Sequence, residues 1–157
     1  FAKKPREKTF TKKTRNKNSK NNMEFDARII GYINTFEVLT RAKVKDAFFD
    51  DNDTLVFVTA QGEAGKAIGR GGSNVKRIAS ILKKMIRVIE FNSDDVEFVK
   101  NCIFPIKAKN IEKDGSLIKI KTEDSTTKAI LIGRNRKNLN NLNSIVKKYF
   151  GAEVKIM

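Results

Sequence analysis

Histidine is absent from the 157-residue sequence, and cysteine occurs once, as Cys102. Without histidine, neither Ser-His nor Cys-His nucleophilic catalysis is available, and a transition-metal site loses its commonest ligand. One cysteine forms no internal disulfide. A lone thiol without charged neighbours reads as a small apolar filler in a cytoplasmic protein. No apolar run approaches the roughly 18 residues that a membrane-spanning helix needs. The first residues also lack the apolar segment of a secretory signal. The sequence is therefore expected to need no cofactor or metal and to belong to a binding protein, not an enzyme.

What is present in excess is positive charge. There are 33 Lys and Arg against 18 Asp and Glu, a formal net charge of +15. Residues 1–22 alone hold nine basic residues and a single acidic one, Glu7. This segment lacks hydrophobic periodicity and reads as a disordered basic tail suited to a polyanion. Acidic lipid would match the charge equally well, but the apolar residues of the tail are too scattered for an amphipathic anchor. No membrane association is expected.

From Met23 the pattern changes. Phe25, Ile29, Tyr32, Ile33, Phe36 and Leu39 recur at helical spacing. Alternating stretches over 43–49 and 54–60 predict two strands, with Asp50, Asp51, Asn52 and Asp53 as a solvated hairpin turn. Those carboxylates lack the glycine and the later Glu of an EF-hand loop. A short helix from Glu63 to Ile68, a glycine turn, a helix from Ser73 to about Lys84 and a strand over 86–91 complete the unit. The long helix places Val75, Ile78, Leu82 and Met85 on one side.

The order then repeats. Asp94 is placed to cap a helix over 95–104, with Glu97 at the reciprocal capping position and Pro105 at the end. Strands over 106–112 and 116–121 are expected around a turn at Lys113, Asp114 and Gly115. Helices over 125–132 and 137–149 and a strand over 152–156 follow. Shifting the chain by 64 residues gives eight identities within positions 68–84, including Ile68/Ile132, Gly69/Gly133, Arg70/Arg134 and Asn74/Asn138. Average composition would give about one. The two halves are copies of one αββααβ module, with a basic tail over 1–22 and modules over 23–92 and 93–157.

The segment Ile68-Gly69-Arg70-Gly71-Gly72-Ser73-Asn74 concentrates the chemistry. Glycine allows positive φ and removes the side chain that would hold a phosphate backbone away. Free amides and the positive end of the following helix then face that backbone. Arg70, Lys76 and Arg77 add charge, and an apolar groove including Ile68 and Ile78 is expected beside the turn. GxxG alone also fits a plain helix–turn–helix joint; the whole element order, twice over, argues against that. Gly62 to Ala67 is too compact for a P-loop, Asn74 breaks a GxGxxG fingerprint, and aromatic RNP motifs are missing.

This is the KH arrangement, whose GxxG loop clamps about four nucleotides of single-stranded nucleic acid. The fold class is accordingly α+β: two tandem type II KH domains, each a three-stranded sheet with helices on one face. In the second turn, Ile132-Gly133-Arg134-Asn135-Arg136-Lys137-Asn138, Arg136 replaces the last glycine. Either Arg136 adds a phosphate contact, or its side chain blocks close approach.

From residue 23 onward the chain resembles the archaeal NusA family. The resemblance is carried by Ile33-Asn34-Thr35-Phe36-Glu37, by the first glycine turn through Arg77, and by Ser93-Asp94-Asp95 to Lys109. The Lys147-Lys148-Tyr149-Phe150-Gly151 ending is similar too. It implies two KH domains packed together, one extended surface for single-stranded RNA, and a role with RNA polymerase in transcription termination or antitermination. Arg136 and the basic tail depart from the family pattern. The tail keeps open an alternative, a ribosome-associated KH protein contacting rRNA. A scaffold whose KH units touch only protein is a third reading.

Overall fold

The computed structural model describes residues 27–157. The basic segment 1–22 and Phe25 lie outside the described residues. Helix α1 spans 27–40 and buries the stripe anticipated from its spacing, with Phe36 inaccessible and Ile29 nearly so. It ends where Thr40 Oγ1 donates back to the Phe36 carbonyl (2.8 Å) and Arg41 adopts φ 60°.

Strands β1 (Val44–Phe49), β2 (Leu55–Thr59) and β3 (Ile86–Glu90) form one sheet in that order. β1 runs antiparallel and β3 parallel to β2, the latter reached through helices α2 (Ala64–Ile68) and α3 (Ser73–Leu82). The second unit repeats the plan. α4 (Asp95–Ile103) leads to β4 (Asn110–Asp114), β5 (Leu117–Lys121), α5 (Ser125–Ile132), α6 (Lys137–Phe150) and β6 (Glu153–Ile156). Its sheet has the order β4-β5-β6, again antiparallel then parallel.

Several local expectations shift. The second hairpin turns on Gly115 and Ser116, since Asp114 pairs with Leu117; β4 starts at Asn110, and 105–109 leads into it. Gly115, at φ 61°, supplies the left-handed position that a two-residue loop requires. Asp94 does cap α4, accepting from the Glu97 amide at 3.2 Å. The reciprocal Glu97 contact gives way to an ion pair with Lys100, and Asn92 Oδ1 takes the Asp94 amide. Helix α3 stops at Leu82 because Lys83 adopts φ 53°, so Met85 leaves the buried side and stands 73% exposed.

Two apolar clusters meet at β2, whose five residues are all buried. Leu55 and Phe57 point toward the helices of their own unit, where Phe57 stacks on Phe36 with ring centroids 4.1 Å apart. Val56 and Val58 point the other way. With Ile89 they join Phe98, Val99, Cys102 and the second unit's core. The sheet of the first unit is thus covered on both faces. Burial pushes the Cys102 thiol up to about 12, which keeps it a neutral filler.

The hairpin Asp50–Asp53 is more than a solvated turn. Asp50 Oδ1 accepts from the amides of Asn52 (2.9 Å) and Thr54 (3.0 Å), closing the loop on itself. The loop then docks on α6: the Asp51 amide donates to Asn141 Oδ1 at 3.0 Å, and Asn52 Nδ2 reaches Asn138 Oδ1 at 3.5 Å.

A polar lock joins the units at the other end of α6. A register shift between Val44 and Asp46 opens a bulge in β1. Asp46 Oδ2 accepts from Lys148 Nζ and Tyr149 Oη, both at 2.5 Å. Burial opposes the Asp46 charge, but these bonds, with the Lys148 charge and the Ala47 amide, hold its carboxyl below the usual range. Beside it, Lys45 Nζ lies 4.0 Å from the centroid of Phe91, which packs against Phe98, Tyr149 and Phe150. Asp46→Asn should therefore cost about 1.5 kcal/mol at neutral pH, the low end for hydrogen bonds to a charged group because Lys148 is half exposed. Because the folded carboxyl titrates below the unfolded one, this contribution is present above about pH 4 and fades as pH falls through the folded value. Chemical denaturation at pH 7 and at about pH 3 checks this: the gap between variant and parent should narrow in acid.

Candidate nucleic-acid interface

Both glycine turns sit between a short helix and the N-terminus of a longer one. In the first, Gly69 has φ 74° and ψ 173°, Gly71 φ 61° and ψ 23°, and Gly72 φ 75° and ψ 18°. In the second, Gly133 has φ 76° and ψ 170°, Asn135 φ 56° and ψ 28°, and Arg136 φ 62° and ψ 19°. The backbones are copies although only one glycine of the second turn remains.

Packing explains which glycine stays. A Cβ on Gly69 would lie 2.9 Å from the Asn74 side chain and from Ser73 Oγ; on Gly133 it would lie 2.7 Å from Asn138. Those asparagines are fixed. Asn74 Nδ2 donates to the Lys66 carbonyl at 2.8 Å, and Asn138 Nδ2 to the Ile130 carbonyl at 2.9 Å. Each ties the long helix back to the short one and closes the turn. Asn74 and Asn138, anticipated as RNA contacts, thus hold the turn through their side chains. Gly71 and Gly72 meet nothing within 4 Å, so their counterparts Asn135 and Arg136 need only tolerate the left-handed conformation. For an arginine that conformation costs about 1–2 kcal/mol.

The turns present donors and charge together. The amides of Arg70 and Gly71, and of Arg134 and Asn135, donate to nothing among the described residues, whereas those of Gly72 and Arg136 close back on the turn glycines. These free amides immediately precede the N-termini of α3 and α6, where a helix favours an anion. Arg70, Ser73, Lys76, Arg77, Arg134, Arg136 and Lys137 are exposed. Among the described residues, none of these cations joins an ion pair.

An apolar wall accompanies each turn, with one correction. Ile78 is completely buried under the first sheet and belongs to the core, so it lines no groove. Ile68, 38% exposed, does flank the turn. In the second unit a groove of about 550 Å³ runs from Ile132, Arg136 and Leu139 to Val154, Lys155 and Ile156 of β6. Lys128 and Lys155 line it as well: Lys128 comes from α5, the helix that runs into the turn, and Lys155 is brought there by the parallel docking of β6 on β5. Among the described residues, no group of His, Cys, Asp or Glu is placed to hold a metal ion, and no helix is long and apolar enough to cross a membrane.

Two αββααβ units, each with its glycine turn ahead of the third strand, define a tandem type II KH protein. The KH domain family model matches residues 30–107, the first unit and the start of the second. The chain is 34% identical over 125 residues to a probable transcription termination protein NusA of Methanococcus vannielii, covering 77% of this chain and 71% of that one. A protein of the same name from Methanocaldococcus jannaschii is 30% identical over 122 residues, covering 74% and 65%. The crystal structure of APE1850 superposes with a TM-score of 0.67 at 31% identity, over 83% of this chain and 99% of that one. The chain belongs to the archaeal NusA family.

Replacement of Arg136 by glycine should raise stability by about 1 kcal/mol, by relieving the left-handed arginine. Gly133→Ala should lower it by about 2 kcal/mol, since the new methyl meets both a forbidden φ and the fixed Asn138. Thermal or urea melts of the two variants against the parent read both signs.

Proposed function

We propose that this chain is a single-stranded RNA-binding transcription factor that holds nascent RNA on its KH turns and so modulates transcription termination or antitermination. The observation that carries the reading is the pair of matched turns, each with two uncommitted amides, exposed cations and a following helix N-terminus. The transcription role is supported by the names of the relatives. The second turn takes part: its backbone matches the first, and Arg136 projects from an exposed position with no ion pair among the described residues. RNA polymerase in the cytoplasm is the protein partner that goes with this role, and the chain binds without catalysing.

The sugar–phosphate backbone supplies most of the affinity, so binding should weaken steeply with salt. Bases lie against the apolar walls at Ile68 and Ile132 while the phosphates meet the turn amides. The test uses a labelled single-stranded RNA, the chain with and without residues 1–22, and the double variant Arg70→Asp, Gly71→Asp. Gly71 has open space, and Asp tolerates its left-handed conformation, so the variant is expected to fold. Without the tail, the parent should bind and the variant should lose at least about ten-fold, each lost charge-assisted contact being worth about 1.5–3 kcal/mol. Equal binding by a folded variant would remove the first turn from the interface. Absence of binding by either would leave a protein scaffold or a tail-only RNA contact.

A further inference from the structure

Among the described residues, Phe104 is the only aromatic among the strongly exposed large apolar side chains, at 69% of its surface. It follows α4 and projects where the two units meet. On one side it lines a cavity of about 270 Å³ between the units, together with Asp50 and Asn52 of the first hairpin, Arg87 of β3 and Asn138 and Asn141 of α6. On the other side it lines a groove of about 470 Å³ with Lys100, Lys107 and Lys109. Neither surface shares a lining residue with the groove of Ile132, Arg136 and β6, although Asn138, whose side chain closes the second turn, stands at the far end of the cavity. Nothing in the packing requires a phenylalanine at this position, and leaving its ring in water forgoes its burial energy.

The charges around the ring are divided. Glu97 is the one carboxylate of the lysine groove, and it is paired with Lys100 at 3.0 Å, whereas Lys107 and Lys109 join no ion pair among the described residues. The cavity side instead holds the Asp50 carboxylate, and its Arg87 guanidinium donates to the Cys102 carbonyl. A phosphate is therefore favoured on the lysine side, where three lysines face one carboxylate, over the cavity side, where the charges of Asp50 and Arg87 offset each other. An uncharged planar group with apolar faces suits the ring and the cavity mouth. A solvated aromatic beside unpaired lysines is how single-stranded nucleic acid is held without sequence preference: bases stack and cations follow the backbone. The cavity also ends at Asn138 and Asn141 in the first turns of α6, the helix that begins at the second glycine turn. A strand leaving that turn toward the first unit meets Phe104.

We propose that Phe104 is a third RNA contact, separate from both glycine turns. It stacks one unpaired base at the mouth of the cavity between the units, while Lys107 and Lys109 take the adjoining phosphates. The inference rests on the RNA-binding reading above and adds a subsite to it.

The test uses the full chain, its Phe104→Ala and Phe104→Tyr variants, and the Arg70→Asp, Gly71→Asp variant as a control. Two single-stranded RNAs serve as probes: one of about four nucleotides, the length a single turn clamps, and one of about twelve. 2-Aminopurine is placed at successive positions of the longer RNA. Phe104→Ala should lose about ten-fold in affinity for the longer RNA, the scale of one stacked base, and nothing for the shorter. One 2-aminopurine position should lose its quenching in Phe104→Ala and keep it in Phe104→Tyr. Because the ring is exposed, the melting temperature of Phe104→Ala should stay near the parent's; Lys107→Gln, Lys109→Gln gives a second readout, a shallower salt dependence for the longer RNA. Unchanged affinity and quenching in Phe104→Ala, with binding lost in the turn variant, would overturn the proposal and mark a protein contact, leaving RNA binding intact. Equal losses on both RNAs would also overturn it, by making Phe104 a support of the turns. Failure of the parent to bind either RNA would bring down both readings.

Discussion

The burial of β2 on both faces is the constraint on which the rest of the structure depends. Alternation along a strand sends Leu55 and Phe57 one way and Val56 and Val58 the other, and here both sides are apolar and covered. Each aliphatic side chain on the second side contributes about 1.5–3 kcal/mol by leaving water. That is enough to hold the second unit against the first without a large polar interface. The docked hairpin at Asn138 and Asn141 and the Asp46 lock at Lys148 and Tyr149 then decide how α6 lies on the first sheet. Since α6 starts at the second glycine turn, the placement of that turn is a consequence of packing around β2.

The paired turns separate two roles of glycine that a motif merges. At Gly69 and Gly133 the reason is room: the asparagine that ties the two helices occupies the space of a side chain. At Gly71 and Gly72 the reason is conformation alone, which Asn135 and Arg136 meet at a modest energetic cost. The departure at Arg136 therefore keeps the shape of the turn while adding a cation beside it.

Much of this was legible in the sequence. The 64-residue repeat, the helical stripe of α1 and the Asp94 cap are local patterns, and local patterns survive folding. What escaped was decided at a distance. The period of α3 suggested that Met85 was buried, but Lys83 turns the chain out first. Ile78 looked available to a groove, yet the sheet lies over it. Three acidic residues in one loop looked like a solvated turn, since nothing nearby in sequence announces the amides of α6. The β4–β5 turn was misplaced by about two residues because Asp and Gly each suit several turn positions, and only strand pairing selects one.

The two turns share a shape but not a freedom. Three of the four residues in the first are glycine, and one in the second. Glycine has the widest choice of backbone conformations, so holding the same shape costs the first turn more entropy than the second. Asparagine and arginine have fewer conformations to lose, which makes the second turn the stiffer of the two by composition. A strand lying across both would meet a compliant grip at one end and a stiff one at the other.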